Sequence, residues 1–140
     1  MSPIQIFFPC IALVALTVIV WVRLYVERIG EMRARRIRPQ ALSTSRETAQ
    51  TLQNLNAADN FRNLFEVPVL FYVLCIALAV TQSVTPLTLW GAWIYVALRT
   101  AHSFIHLTYN RVMHRFVAYA LSTLLLFAMW VGFGIRLLSM

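Results

Sequence analysis

The chain has 140 residues, 60% of them hydrophobic and 12% charged, and its formal net charge is +7: twelve arginines stand against five acidic residues, with no lysine. A soluble domain carries about 25% charged and roughly 45–50% apolar residues, so a water-soluble globule of this composition would expose large apolar patches, and disorder is excluded by the high hydrophobicity. The length fits one domain, and the mean hydropathy of +0.70 points to an integral membrane protein whose charge lies at the membrane surface or around a site.

The first apolar run, Ile4 to Val22, is interrupted only by Gln5, Pro9 and Thr17. It is long enough to cross about 30 Å of hydrocarbon at about 1.5 Å per residue. No positive charge precedes it and no small-residue cleavage site follows it, which argues against a signal peptide. Trp21, Arg23 and Tyr25 follow instead, as at a membrane interface, and a retained helix is expected over about residues 4–28. A polar stretch over about 29–59 opens with Arg28, Arg33, Arg35, Arg36 and Arg38, and Pro39 then breaks the helix. From Ser43 to Asn60 there is no apolar periodicity, so a loop is expected, with at most a short surface helix.

A second span, about 60–80, starts polar with Asp59, Asn60, Arg62, Asn63 and Glu66, and Pro68 falls in its first turns, where proline costs least. After the uncharged turn Thr81–Pro86 comes a third span, about 86–109. Its first half is apolar and contains Trp90 and Trp93; its second half carries Arg99, His102 and His106, with Asn110 just beyond. A short basic turn near Arg111–Arg115 leads to a fourth span, about 115–136, which Arg136 ends. Spans joined by short turns are antiparallel neighbours. The expected fold is therefore all-α and integral to the membrane: a single domain over 1–140, built as a four-transmembrane-helix antiparallel bundle. The loop after the first span and the turn after the third are basic, so that side is expected to be cytoplasmic, with both termini on the opposite face. All arginines but Arg136 then lie in the cytoplasmic half.

Polar groups inside a membrane are costly and often functional. In Arg62-Asn63-x-x-Glu66 the three side chains can share one helix face; an intrahelical ion pair near the positive end of the helix dipole is the plain structural alternative. In Arg99-x-x-His102-x-x-x-His106-x-x-x-Asn110 the positions fall within a stripe of roughly 80°, which should face the bundle or a cavity. Two packing histidines would also explain it. The His102–His106 spacing would suit a metal, but no HExxH or cysteine pair supports one, and haem would need a histidine on a second helix where only His114, in a turn, remains. Cys10 and Cys75 each lie inside an apolar run, against both a disulfide framework and a zinc site. No metal is expected. Arg115 and Tyr119, at i and i+4, form a third set that could meet an anion at the cytoplasmic interface, or simply supply positive-inside charge and an aromatic belt residue. Together with Arg33 these groups suit a small zwitterionic ligand with several carboxylates and an amine, since arginine pairs carboxylates bidentately and Glu66 can receive an ammonium. The apolar helices would admit a lipophilic co-substrate from the bilayer. No nucleic-acid partner is expected.

Four spans, a basic loop after the first, Arg62-Asn63-x-x-Glu66-x-Pro68 at the second, and Arg99-x-x-His102-Ser103-x-x-His106-x-x-x-Asn110-x-x-x-x-Arg115 at the third turn resemble the MAPEG superfamily, the membrane-associated proteins in eicosanoid and glutathione metabolism. The resemblance covers nearly the whole chain, and the combination of motifs is specific. It implies a homotrimer of four-helix bundles with glutathione at each subunit interface, near the cytoplasmic side. It further implies that Arg33, Arg62, Asn63, Glu66, His102 and Tyr119 bind glutathione and that Arg115 stabilises the thiolate; Arg99 and His106, on the same third-helix stripe, are expected to bind it beside them. His106 stands where many members have a tyrosine. Phe116 and Asp59 stand where microsomal prostaglandin E synthase has a serine and an arginine, which speaks against prostaglandin synthesis. The short chain looks like a bacterial inner-membrane member. The function expected is a glutathione-dependent transferase or peroxidase acting on lipophilic electrophiles. A non-catalytic lipid- or thiol-binding protein of the same fold is the first alternative. A small multidrug transporter is the second, although the first span lacks the membrane-embedded glutamate such exporters carry.

Overall fold

A computed structural model describes residues 2–139. Six helices carry the chain: α1 (Phe7–Ala34), α2 (Ser45–Thr51), α3 (Asn56–Leu64), α4 (Pro68–Val80), α5 (Pro86–Leu107) and α6 (Val112–Leu138), with 3-10 turns over Pro3–Ile6 and Pro39–Leu42. No strand occurs among the described residues. Three stretches are long and apolar enough to cross a membrane: Pro3–Ala34, Asn56–Val80 and Val112–Leu138. The fourth expected span, α5, has 22 residues but carries the Arg99–His106 stripe, which keeps it out of that group.

The first helix runs to Ala34, beyond the expected end near residue 28, so the loop begins at 35 rather than 29. It stops before Pro39 because Arg36 takes the left-handed conformation (φ 52°) and its neighbours close the end: Ile37 N–H donates to Met32 O at 2.9 Å and Arg36 N–H to Arg33 O at 3.4 Å. This is a Schellman cap without glycine. Glu31 then anchors the returning loop. Its carboxylate accepts from Arg35 (2.6 Å), from Gln53 N–H (2.8 Å) and from Asn54 N–H (3.3 Å), while Arg35 also reaches Thr51 O at 2.8 Å. The expected short surface helix in the loop is α2, started by a capping box in which Thr44 and Glu47 satisfy each other's backbone N–H. Ser43 also donates to Glu47, and these hydrogen bonds hold the Glu47 carboxyl below its ordinary value.

The second span is not one helix from residue 60 to 80. It begins at Asn56 and is interrupted at 65–67, where i→i+3 bonds replace the α-helical ladder: Phe65 N–H to Arg62 O (2.9 Å), Val69 N–H to Glu66 O (3.2 Å) and Leu70 N–H to Val67 O (3.0 Å). Pro68 is the cause. It has no N–H for Leu64 O, and its ring collides with that carbonyl, a cost of about 3 kcal/mol in an unbroken helix. At the first position of α4 the same proline is harmless. The third helix ends at Leu107, short of 109, and the fourth runs from Val112 to Leu138, longer than expected at both ends.

The core lies among α1, α4, α5 and α6, with Ile6, Leu13, Val20, Phe71, Leu74, Tyr95 and Leu126 buried. Phe71 and Tyr95 stack at 4.5 Å between centroids. Helices α5 and α6 pair closely, helped by Gly91: a Cβ there would meet Met129 Sδ at 3.1 Å, so a larger residue would require the Met129 side chain to shift. Within the most apolar 18-residue window of each stretch only 22–33% of the residues are buried within the chain. Ile11, Val18, Ile19, Leu124 and Val131 are among the many large apolar side chains that face outward. An apolar exterior around a partly polar interior is the arrangement a bilayer demands and water forbids.

Candidate functional site

The polar interior lies at the end where α3, the end of α5 and the start of α6 converge. A cavity of about 400 Å³ is lined there by Asp59, Arg62, Asn63, Glu66, His102, His106, Val112, Arg115, Phe116 and Tyr119. Two bridges fix its walls. Ser103 Oγ donates to Asn60 Oδ1 at 3.1 Å, and Asn110 Nδ2 donates to Asn56 Oδ1 at 2.8 Å, tying α3 to α5 and to the turn beyond it. Asn110 takes the left-handed conformation (φ 46°), which asparagine tolerates, and its N–H closes on Ile105 O at 2.8 Å.

That turn aims Arg115. Its Nη1 donates to Asn110 Oδ1 at 2.8 Å and to His106 Nε2 at 3.1 Å. A guanidinium only donates, so His106 Nε2 is an acceptor and the ring proton sits on Nδ1. His102 Nδ1 donates to Arg115 O at 2.8 Å, and its Nε2 is buried without a partner among the described residues. Both imidazoles are thereby held against Arg115, one by its side chain and the other by its backbone carbonyl. The first turn of α6 opens on the same cavity, and the positive end of its dipole adds to Arg115. The opposite wall carries mixed charge: Arg62 lies 3.9 Å from Asp59, and Glu66 is exposed beyond the helix break. With α3 ending at Leu64, Arg62 and Glu66 are not an i,i+4 helical pair; both reach the cavity from either side of the break. Guanidinium groups, carboxylates and an amide within one cavity can hold a molecule that bears both carboxylates and an ammonium.

A model of the MAPEG family matches residues 6–135. The chain belongs to the MAPEG family. No curated protein and no solved structure matches it significantly.

Of the residues expected at the site, this MAPEG chain gathers Arg62, Asn63, Glu66, His102, His106, Arg115 and Tyr119 around one cavity, and keeps two apart. Arg99 does not line it. It is 1% exposed, donates through Nε to Tyr95 Oη at 3.1 Å and through Nη2 to Thr123 Oγ1 at 3.4 Å, and lies 4.8 Å from the centre of the Tyr119 ring. It sits one turn deeper than His102, behind Tyr119, so it supports the wall rather than forming it. A desolvated cation–π contact of this kind contributes about 2 kcal/mol. Arg33 lines a different groove, on the outer face of α1 with Trp21, Tyr25, Ile29 and Gly30. Within one chain nothing brings it to the cavity. Among the described residues no group of histidines, cysteines and acids has the arrangement of a metal site.

Sequence reasoning did not assign Asp59 to the site, although it precedes Arg62 by three residues and so shares its helix face. It also missed Asn56 and Asn60 as the braces of α3. The spacing Asn56, Asn60, Asn63 (i, i+4, i+7) is the signal that marks that inward face.

Proposed function

We propose that the protein is a glutathione-dependent transferase, with peroxidase chemistry open to the same thiolate, acting on lipophilic electrophiles that enter from the bilayer. The observation that carries this reading is Arg115, held by Asn110 and His106 with its remaining nitrogens unbonded among the described residues, at the edge of a cavity of mixed charge. A free thiol with a pKa of about 8.5 is only a few per cent ionised near neutral pH, and an adjacent cation raises the reactive fraction. The thiol proton leaves to water, the thiolate sulfur forms a bond to the electrophilic carbon, and the leaving group departs with its electron pair. Arg62 takes a glutathione carboxylate, Glu66 or Asp59 the ammonium, and Asn63 and Tyr119 supply hydrogen bonds. Arg99 holds Tyr119 from behind.

In this reading α5 is the fourth span. Its 22 residues reach about 33 Å, and Arg99, His102 and His106 are all buried inside the bundle rather than facing lipid. The protein is a homotrimer, and Arg33 on the outer face of α1 completes the cavity of a neighbouring copy. The arginine-rich side faces the cytoplasm, and the membrane is a bacterial inner membrane. The test is glutathione binding followed by turnover with a generic aryl halide, using purified protein in detergent. Saturable binding with turnover is expected. Binding without turnover would favour a non-catalytic thiol-binding protein, and no binding would overturn the assignment.

A further inference from the structure

The end of the bundle opposite the glutathione cavity holds a second and larger cavity, and Arg136, the one arginine near the end of the last helix, lies beside it. It is an open groove of about 620 Å³ between the start of α5 and the end of α6. Its walls are apolar, with Trp90, Ile94, Leu125 and Phe133 among them. Along α6 the lining runs from Leu125 to Arg136, about 17 Å of helix, with Ser139 just beyond its end. The floor is cut back by small residues: a Cβ at Gly132 would meet nothing within 4 Å. At the mouth stands the exposed Arg136, which forms no ion pair among the described residues. The other eleven arginines all precede residue 116, so Arg136 is a lone cation at an apolar end.

The geometry points to a binding site for a single-chain anionic amphiphile, a long-chain fatty acid, with its tail along the α5–α6 groove and its carboxylate on Arg136. One groove with one cation at its water-facing end matches one tail with one charged head. The guanidinium fork pairs a carboxylate bidentately. The tail fills apolar space that would otherwise be lined by mismatched lipid. This inference does not rest on the glutathione reading, because the two cavities share no residue.

Trp90 in the groove wall makes the site observable. Wild-type protein in detergent micelles is titrated with a brominated long-chain fatty acid, and quenching of tryptophan fluorescence is followed, with Trp90→Phe identifying the signal from the groove. Saturable quenching is expected, lost in Trp90→Phe. The brominated fatty alcohol should bind about tenfold more weakly, the loss of one charge-assisted pair. Arg136→Gln should remove that preference for acid over alcohol. Gly132→Leu, which points into open space and leaves the fold intact by its unchanged circular dichroism and melting temperature, should abolish saturable quenching. The inference is overturned by equal binding of acid and alcohol to wild type, by undiminished quenching in a folded Gly132→Leu variant, or by a two-chain anionic phospholipid without bromine that reverses the quenching at equal mole fraction.

Discussion

Replacing Arg115 by glutamine removes the charge while keeping a polar side chain of moderate length. Three cations are nearby in the structure, but they are not equivalent: Arg62 also lines the cavity, on the opposite wall and beside Asp59, which offsets its charge. Arg115 lines the cavity, whereas Arg99 is sealed behind Tyr119 with its Nε and Nη2 bonded to Tyr95 and Thr123. The effect on a bound thiol should therefore be almost entirely that of Arg115. A unit charge about 4 Å from a thiolate contributes about 4 kcal/mol at an effective dielectric of about 20. An open cavity admits water, and halving that figure leaves about 2 kcal/mol, or about 1.5 pKa units. A thiol of ordinary pKa about 8.5 then titrates near 7 in the wild type and returns toward 8.5 in Arg115→Gln. Near neutral pH the ionised fraction falls from about half to about 3%, roughly fifteenfold. The assay is the ultraviolet absorbance of the thiolate in bound glutathione as a function of pH, alongside the conjugation rate with a generic electrophile. Both should shift together, while the melting temperature falls only by the loss of the Asn110 and His106 bonds. A variant that binds glutathione, stays folded and keeps the wild-type thiolate titration would refute the assignment of Arg115.

Asn110→Ala keeps the Arg115 charge but removes its shorter bond, at 2.8 Å, and the brace to Asn56; kcat/KM should fall about tenfold, measured by steady-state conjugation, since a hydrogen bond to a charged group contributes about 1.5–3 kcal/mol. Pro68→Ala restores the missing N–H and lets α3 and α4 fuse, so the melting temperature should hold or rise while glutathione affinity, measured calorimetrically, falls because Arg62 and Asn63 rotate relative to Glu66. The Glu47 carboxyl is held below its ordinary value by Ser43 and Thr44. Its contribution to the start of α2 is therefore complete above the unfolded pKa of about 4.3 and lost as pH falls through the lower folded value; amide exchange at Glu47 should accelerate only in acid, and unchanged protection well below that range would contradict the cap. Glu31→Gln should expose the 35–55 loop to proteolysis without altering the bundle, because the carboxylate holds Gln53 and Asn54 to the end of α1.

The parts of the molecule governed by local periodicity were legible in the sequence. The stripe Arg99, His102, His106 faces inward as its spacing requires, and the apolar runs do form long outward-greasy helices. What periodicity cannot convey is depth and neighbour. Arg99 and His102 share a face, yet one turn along α5 separates a cation wedged between Tyr95 and Tyr119 from a histidine on the cavity wall. Arg33 lies on α1, and the face it occupies points away from the cavity of its own chain, a fact that depends on how α1 packs against α3 and α5. The break at 65–67 was concealed because Pro68 is equally compatible with the start of a span; only the earlier beginning of the helix at Asn56 puts it in the middle. The cap at Arg36, and the one that ends α4 at Gln82 (φ 52°) with Ser83 N–H donating to Leu78 O at 2.8 Å, were invisible for a different reason, since both use left-handed residues that are not glycine.

The central claim is that the cavity beside Arg115 holds glutathione. It is tested most directly by a density map of the purified protein in lipid nanodiscs with glutathione present. The account predicts density for the tripeptide bounded by Arg62, Glu66 and Arg115, with its sulfur nearest the Arg115 guanidinium and Arg33 of an adjacent copy closing the opposite side. Bound glutathione found elsewhere, or a saturated sample with that cavity empty, would contradict it.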